Sequence, residues 1–220
     1  MSYNAKRQYF QSIYPEVFNS GLIGRAMKLQ HKSLEIGIPK KTRVKSVLEL
    51  GAGAGNHAQN LHHEFDVYHE TDLFVKSPKL HENSEKIIRF RLDATKISKI
   101  RDCTYDRVIV SCLLIHLDDP KKAVNEWLRI VKPGGYLSIL VPCEPGIFLR
   151  FARQITTVRK TRKKNIKYFD IHYSEHKTFF LRLKHIIDSI ENTSDVKWRY
   201  FPLIIPFWNL NLWSTAQIKK

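Results

Sequence analysis

Residues able to do chemistry gather in three places along this chain of 220 residues. The first is the run Glu49-Leu50-Gly51-Ala52-Gly53-Ala54-Gly55-Asn56. A glycine turn of this kind, between a strand and a helix, brings backbone amides close to a nucleotide-like ligand. The second is a pair of acids, Asp72-Leu73 and Asp93-Ala94, each at the end of an apolar stretch. The third is a set of histidines and acids: His116, then Asp170, His172, Glu175 and His176.

The glycine spacing narrows the ligand. A dinucleotide fingerprint needs G-x-G-x-x-G, with its third glycine at position 56. Asn56 stands there, and the third glycine comes one residue early, at Gly55. Glu49 precedes the first glycine by two residues. An acid there suits a ligand with an ammonium group and no phosphate better than it suits a pyrophosphate. S-adenosylmethionine has that character. The structural alternative is a strand–turn–helix whose small residues serve only tight packing.

These groups need elements to hold them. Val44 to Leu50 is apolar and β-prone, which predicts the first strand, and His57 to His63 reads as the start of a helix with its histidines in solvent. Phe65 to Asp72 predicts a second strand. An acid about 20 residues past the glycine turn accepts the ribose hydroxyls of an adenosine. Asp72 is the first choice, and Glu70 is its rival one pleat earlier on the same face. Lys86 to Asp93 predicts a third strand, with Asp93 placed either to accept from an adenine amino group or to cap a short helix. Tyr105 to Ser111 predicts a fourth strand, followed by Cys112 and His116. Asp118-Asp119-Pro120 starts a helix whose apolar face is Ala123, Val124, Trp127, Leu128 and Val131. Lys132-Pro133-Gly134-Gly135 ends that helix, and Tyr136 to Pro142 predicts a fifth strand. Ser174 predicts a helix start, running to about Ile190. Val196–Phe201 and Leu210–Ile218 read as a final antiparallel pair. Ahead of all this, residues 9–38 show helical periodicity and either flank the mouth of the sheet or cover its edge.

Composition sets limits. The apolar fraction of 43% is ordinary for a globular chain. No apolar run is long enough for a membrane span, and the N-terminus lacks a signal-peptide core. Cys103, Cys112 and Cys143 are odd in number, which fits a reducing cytoplasm. The net charge is +16. Residues 150–167 hold eight bases and no acid, and residues 1–45 hold nine bases and two acids. Residues 46–149 are nearly neutral. The excess charge therefore flanks the nucleotide-fold core.

Taken in this order, the motifs resemble the class I S-adenosylmethionine-dependent methyltransferases, most closely the type 11 group. Glu49 to Gly55 is similar to the family's first motif, Asp72-Leu73 to its ribose-binding acid, and Asp93-Ala94 to its adenine-contacting pair. Ser111 to His116 with Asp118-Asp119-Pro120 is similar to its fourth motif, and Leu128 to Tyr136 to its turn into strand five. The resemblance covers residues 44–142 well and the last helix and strand pair weakly. It implies an α/β fold: a doubly wound, Rossmann-like seven-stranded sheet, the last strand antiparallel. The domain organisation expected is one domain over 1–220. It comprises a helical extension (1–43), a cofactor core (44–142), a basic cap insertion (143–173), and a last helix and strand pair (174–220). S-adenosyl-L-methionine is the expected cofactor. Its expected contacts are Glu49, Leu50, Gly51, Ala52, Gly53, Gly55, Asn56, Asp72, Leu73, Asp93, Ala94, Ser111 and Cys112.

The resemblance implies methyl transfer by in-line displacement at the sulfonium. An oxygen nucleophile would also need its proton removed. His116 is the first candidate base, at the carboxyl edge of the sheet, with packing against the helix cap as the alternative. His172 is the second. His172 and His176 are four apart, but a helix starting at Ser174 leaves His172 outside it, so no metal site is expected. Tyr14, Tyr173, His176, Arg159 and Arg162 are candidate acceptor contacts. The leading reading is O-methylation of a small, glycan or lipid-linked acceptor bearing negative charge. It has the basic insertion as a lid and the cytoplasm, at the inner face of an anionic membrane, as the setting. RNA is the runner-up acceptor, weakened because no aromatic lies between Arg153 and Lys167. A catalytically idle binding module is the reading from another class.

Overall fold

The computed structural model describes residues 21–40, 44–74, 85–162, 175–191 and 195–220. Its strands are β1 Val44–Leu50, β2 Phe65–Asp72, β3 Ile87–Arg91, β4 Tyr105–Ser111, β5 Val131–Pro142, β6 Asp195–Phe201 and β7 Trp213–Lys219. They form one sheet in the order β3-β2-β1-β4-β5-β7-β6. β1 to β5 are parallel, and β7 is antiparallel to both β5 and β6. This is the doubly wound sheet with an antiparallel last strand that the sequence predicts.

The central strands are apolar on both sides because both faces are covered. Val47, Leu48, Val108, Ile109, Leu137 and Ile139 are wholly buried. The helices are α1 Gly21–Leu34, α2 Pro120–Ile130, α3 Ile147–Arg153, α4 Arg159–Arg162 and α5 Phe180–Asp188. α2 begins as its sequence dictates. The Asp119 side chain accepts from the Lys122 amide, with Pro120 in the first turn. It buries Ala123, Val124, Trp127 and Leu128. The strand order reverses at β1, whose neighbours are β2 and β4. Loops at the carboxyl ends of β1 and β4 therefore flank the crevice where such sheets bind ligands.

Several expectations change. The helix after the glycine turn is only a 3-10 turn, Ala58–Asn60. His57 and His63, expected in solvent, are buried. The cause is a buried network at the end of α1. Arg107 on β4 is fully buried and donates to Glu35 Oε2 at 2.9 Å, to His63 Nε2 at 2.8 Å and to the Leu34 carbonyl at 2.9 Å. His57 Nε2 donates to Glu35 Oε1 at 3.0 Å. Burial alone would raise the Glu35 carboxyl. The His57 hydrogen bond and the Arg107 charge outweigh it and hold Glu35 well below the usual carboxylate range. The described part of the N-terminal extension is therefore tied into the core and is more than an edge cover. Residues 9–20, including Tyr14, lie outside the described residues.

Three boundaries also move. β5 starts directly after α2, so Lys132-Pro133-Gly134-Gly135 is the irregular start of the strand and not a separate turn. α5 starts at Phe180, later than expected, and Ser174 lies outside the described residues. The basic insertion is helical where it is described. α3, a π turn Gln154–Val158 and α4 follow one another without a break.

Candidate active site

The glycine turn leaves β1 and doubles back over the sheet. Gly51, Gly53 and Gly55 all have positive φ. An added Cβ at Gly51 would sit 3.1 Å from the Leu113 side chain, so the turn after β4 lies against the turn after β1. A Cβ at Gly55 would meet the Glu70 and Arg89 side chains at 2.7 Å. At Gly53 a Cβ would meet nothing within 4 Å. The exposed centre of the turn therefore faces open space, as a close backbone approach to a ligand requires.

Asp72 is aimed at that space by two backbone amides. Gly53 N–H donates to its Oδ2 and Phe74 N–H to its Oδ1, each at 2.9 Å. Glu70, its rival, is wholly buried and pairs with Arg89 at 3.2 Å. Arg89 also donates to the Gly53 carbonyl. Glu70 thus braces the turn from beneath while Asp72 reaches its rim. Neighbouring Leu73 is half-buried.

Glu49 is buried under the turn and accepts from the Tyr68 hydroxyl at 2.8 Å. Burial pushes its carboxyl up to about 8. The Tyr68 bond opposes this and the charge of Glu70 adds to it. Leu50 and Ala52 are buried around it, and Asn56 is half-buried. The Ala52 amide donates to the Thr71 carbonyl at 2.9 Å, which pins the first glycine step onto β2.

Asp93 closes a turn, and the short helix expected after it does not form. Its Oδ1 accepts from the Thr95 amide at 3.0 Å and the Thr95 hydroxyl at 2.6 Å. Ala94 is held by Trp127, whose indole N–H donates to the Ala94 carbonyl at 2.9 Å. Ser111 ends β4, and Cys112 follows it with φ of 53°. Desolvation pushes the Cys112 thiol up to about 11, so it is neutral and not a nucleophile at neutral pH.

His116 sits in a 3-10 turn, Leu114–His116, just past β4. Its Nδ1 donates to the Glu175 carbonyl at 2.9 Å. That bond fixes the neutral tautomer and makes Nε2 the basic nitrogen. The His176 ring stands edge-on to His116, centroids 5.0 Å apart. His176 Nδ1 lies 2.6 Å from Glu144 Oε2, with both side chains almost wholly buried. Arg153 of α3 pairs with Oε1 of the same carboxylate. His116 and His176, separate in the sequence reading, are thus brought together with Glu144 and Arg153, which it did not assign to a site. The only sequence signal for Glu144 was its place two residues after β5. Arg159 and Arg162 are exposed on α4. His172 and Tyr173 lie outside the described residues.

The comparisons fit this geometry. A family model described as a methyltransferase domain matches residues 48–139. No curated protein matches the chain by sequence. Among solved structures, the N-methyltransferase NodS from Bradyrhizobium japonicum WM9, bound to S-adenosyl-L-homocysteine, is 13% identical. It covers 99% of this chain and 97% of its own, with a TM-score of 0.64. Haemonchus contortus phospholethanolamine N-methyltransferase 2, with phosphomonomethylethanolamine and S-adenosylhomocysteine, is 16% identical. It covers 99% of this chain and 59% of its own, at a TM-score of 0.67. An O-methyltransferase family protein from Burkholderia thailandensis is 15% identical over 90% of this chain and 56% of its own, at 0.59. At these identities the structures speak for the fold.

Proposed function

We propose that this chain, whose residues 48–139 match a methyltransferase-domain model, is a class I S-adenosylmethionine-dependent methyltransferase that methylates oxygen on an anionic small, glycan or lipid-linked acceptor. The observation that carries the reading is the His116–His176–Glu144–Arg153 cluster at the carboxyl edge of β4 and β5. An oxygen nucleophile must lose its proton, and His116 Nε2 is the basic nitrogen there. Glu144 and His176 hold position beside it, and α3 with α4 brings cations to the same edge. A structural neighbour that binds a phosphate-bearing acceptor is consistent with an anionic one.

The residues around the glycine turn fit the cofactor. We assign Gly51, Gly53 and Gly55 to its backbone approach, Asp72 to the ribose hydroxyls, Asp93-Ala94 to the adenine side and Glu49 to the cationic end. S-adenosylmethionine supplies the activated methyl group. This chain's residues supply position, which accounts for much of the acceleration, and a place for the proton.

Labelled S-adenosylmethionine with a fractionated lysate tests the reading. Label entering an alkali-stable ether in an acidic fraction supports it, and label entering only RNA or amines overturns it. Because the donor is already activated, His116→Ala should lower kcat by about 10²-fold, the lower end for a general base. Cofactor affinity should not move. An unchanged kcat would remove His116 from the mechanism.

A second expectation concerns protons. With its carboxyl raised to about 8, Glu49 is mostly protonated at pH 7. A cation bound beside it favours the ionised form, so binding releases a proton. Calorimetry at pH 7 in two buffers of different ionisation enthalpy should read close to one proton released per cofactor. Glu49→Gln should release none. Equal values for both proteins would place the cation away from Glu49.

A further inference from the structure

The helical insertion presents an apolar face to water. Ile147, Phe151 and Ile155 are 68%, 61% and 56% exposed. Steps of four put them on one side of the helix. The other side is packed: Leu149, Thr157 and Thr161 are buried. Beside this face lies the loop between β6 and β7. The Ile147 amide donates to Asn209 Oδ1 at 2.8 Å, joining the two. The loop exposes Leu203, Ile204 and Phe207, with Ile204 75% exposed.

The loop is built to do this. Asn211 is wholly buried, accepts from the Leu203 amide at 3.0 Å, and donates to the carbonyls of Ile205 and Phe207, each at 3.0 Å. It holds the segment in one shape with its apolar side chains outward. Ile204 has φ of 61°, a conformation that β-branched residues avoid. Pro142 at the end of β5 pairs with Trp213 at the start of β7, so loop and helix share the carboxyl edge with the candidate active site.

Charge selects what covers this face. Arg150, Arg159 and Arg162 are exposed on the helix, and no acid occurs from Pro145 to Arg162 or from Pro202 to Ile218. A second copy docked by two-fold symmetry would set cation against cation. RNA stacks on aromatic platforms, whereas this face is mainly aliphatic. We propose that the face docks on an anionic lipid bilayer, its isoleucines and phenylalanines entering the headgroup boundary and its arginines meeting lipid phosphate. This deepens the lipid-linked form of the acceptor reading and rests on it for its purpose.

Flotation with vesicles tests it without acceptor. Vesicles of phosphatidylcholine alone are compared with vesicles containing about one-third phosphatidylglycerol. The protein should bind the anionic vesicles at least tenfold more tightly, and half-molar salt should remove most of that difference. Arg159→Ser with Arg162→Ser should weaken anionic binding about 25-fold, near fivefold per cation. Ile204→Asn with Phe207→Ser should weaken it at least tenfold. Asn tolerates the left-handed backbone, so that variant keeps the loop. Cofactor affinity measured on each variant shows that it is folded. If cofactor fails to bind even the unaltered protein, the methyltransferase reading fails and not the docking surface. Equal binding to both vesicle types, no binding to either, or binding only to RNA overturns the proposal.

Discussion

Replacing Arg107 with Met lowers the unfolding free energy by about 3–5 kcal/mol, the range for removing one partner of a buried ion pair. The guanidinium is wholly buried and joins β4 to the end of α1. Without it the Glu35 carboxylate is left almost fully buried, with His57 its chief remaining donor. His63 Nε2 and the Leu34 carbonyl each lose a donor as well. For a chain of this length the loss corresponds to roughly 10 °C in Tm.

Urea unfolding of Arg107→Met, Glu35→Gln and the double variant measures it. The double variant should be more stable than the sum of the single losses predicts, by about 1 kcal/mol or more, because neutral Gln removes the stranded charge. Cofactor affinity of Arg107→Met below its transition should stay within about threefold, since the network lies beneath the site. A loss under about 1 kcal/mol for the single variant would show that α1 is held by apolar packing instead.

That network was the least legible part of the chain. Arg107 sits in an apolar strand, and a lone base there can face solvent at an edge or be buried with a partner. Its partner Glu35 lies 72 residues away, and helical periodicity says nothing of such pairing. The histidines at 57 and 63 were misplaced for the same reason: a short polar stretch looks solvated until the buried groups it hydrogen-bonds are known. By contrast, the doubly wound sheet and its antiparallel close were legible. Alternating apolar strands and capped helices admit few topologies, and the motif order selected one of them.

The site was legible in proportion to how local its chemistry is. The glycine turn and Asp72 depend on a spacing of about 20 residues within one unit, and the structure brings them to 2.9 Å. The sequence already favoured Asp72 over Glu70, and the fold adds a reason it could not show: Arg89 pairs with Glu70 beneath the turn. His116 and His176 stand 60 residues apart in the chain and meet only because the residues leading into α5 bond back to the turn after β4. The Lys177 amide donates to the Ile115 carbonyl at 2.8 Å. The proposed docking face was half legible: the basic run was visible, but only the fold sets Ile147, Phe151 and Ile155 on an exposed side of the helix.

Changing Gly53 to Val separates the cofactor site from the fold. Gly53 has φ of 53°, so any L side chain there carries strain of about 1–2 kcal/mol. Yet a Cβ at that position meets no protein atom within 4 Å, so the folded chain has room for it. The only thing it obstructs is whatever approaches the turn. The side chain would stand beside the Asp72 carboxylate, which is aimed at the same space by the Gly53 amide. The cofactor would then lose both its close backbone approach and its ribose acceptor. Together these should weaken S-adenosylmethionine binding by 10³-fold or more, about 4 kcal/mol. Thermal unfolding without cofactor should show only the smaller strain, and the stabilisation that the cofactor gives the unaltered protein should vanish. Gly55→Val makes the contrast, because its Cβ would strike the Glu70–Arg89 pair at 2.7 Å. That variant should lose fold stability and cofactor together. If calorimetry finds Gly53→Val binding within about threefold of the unaltered protein, the cofactor does not pass over this turn and the assignment of Asp72 falls with it.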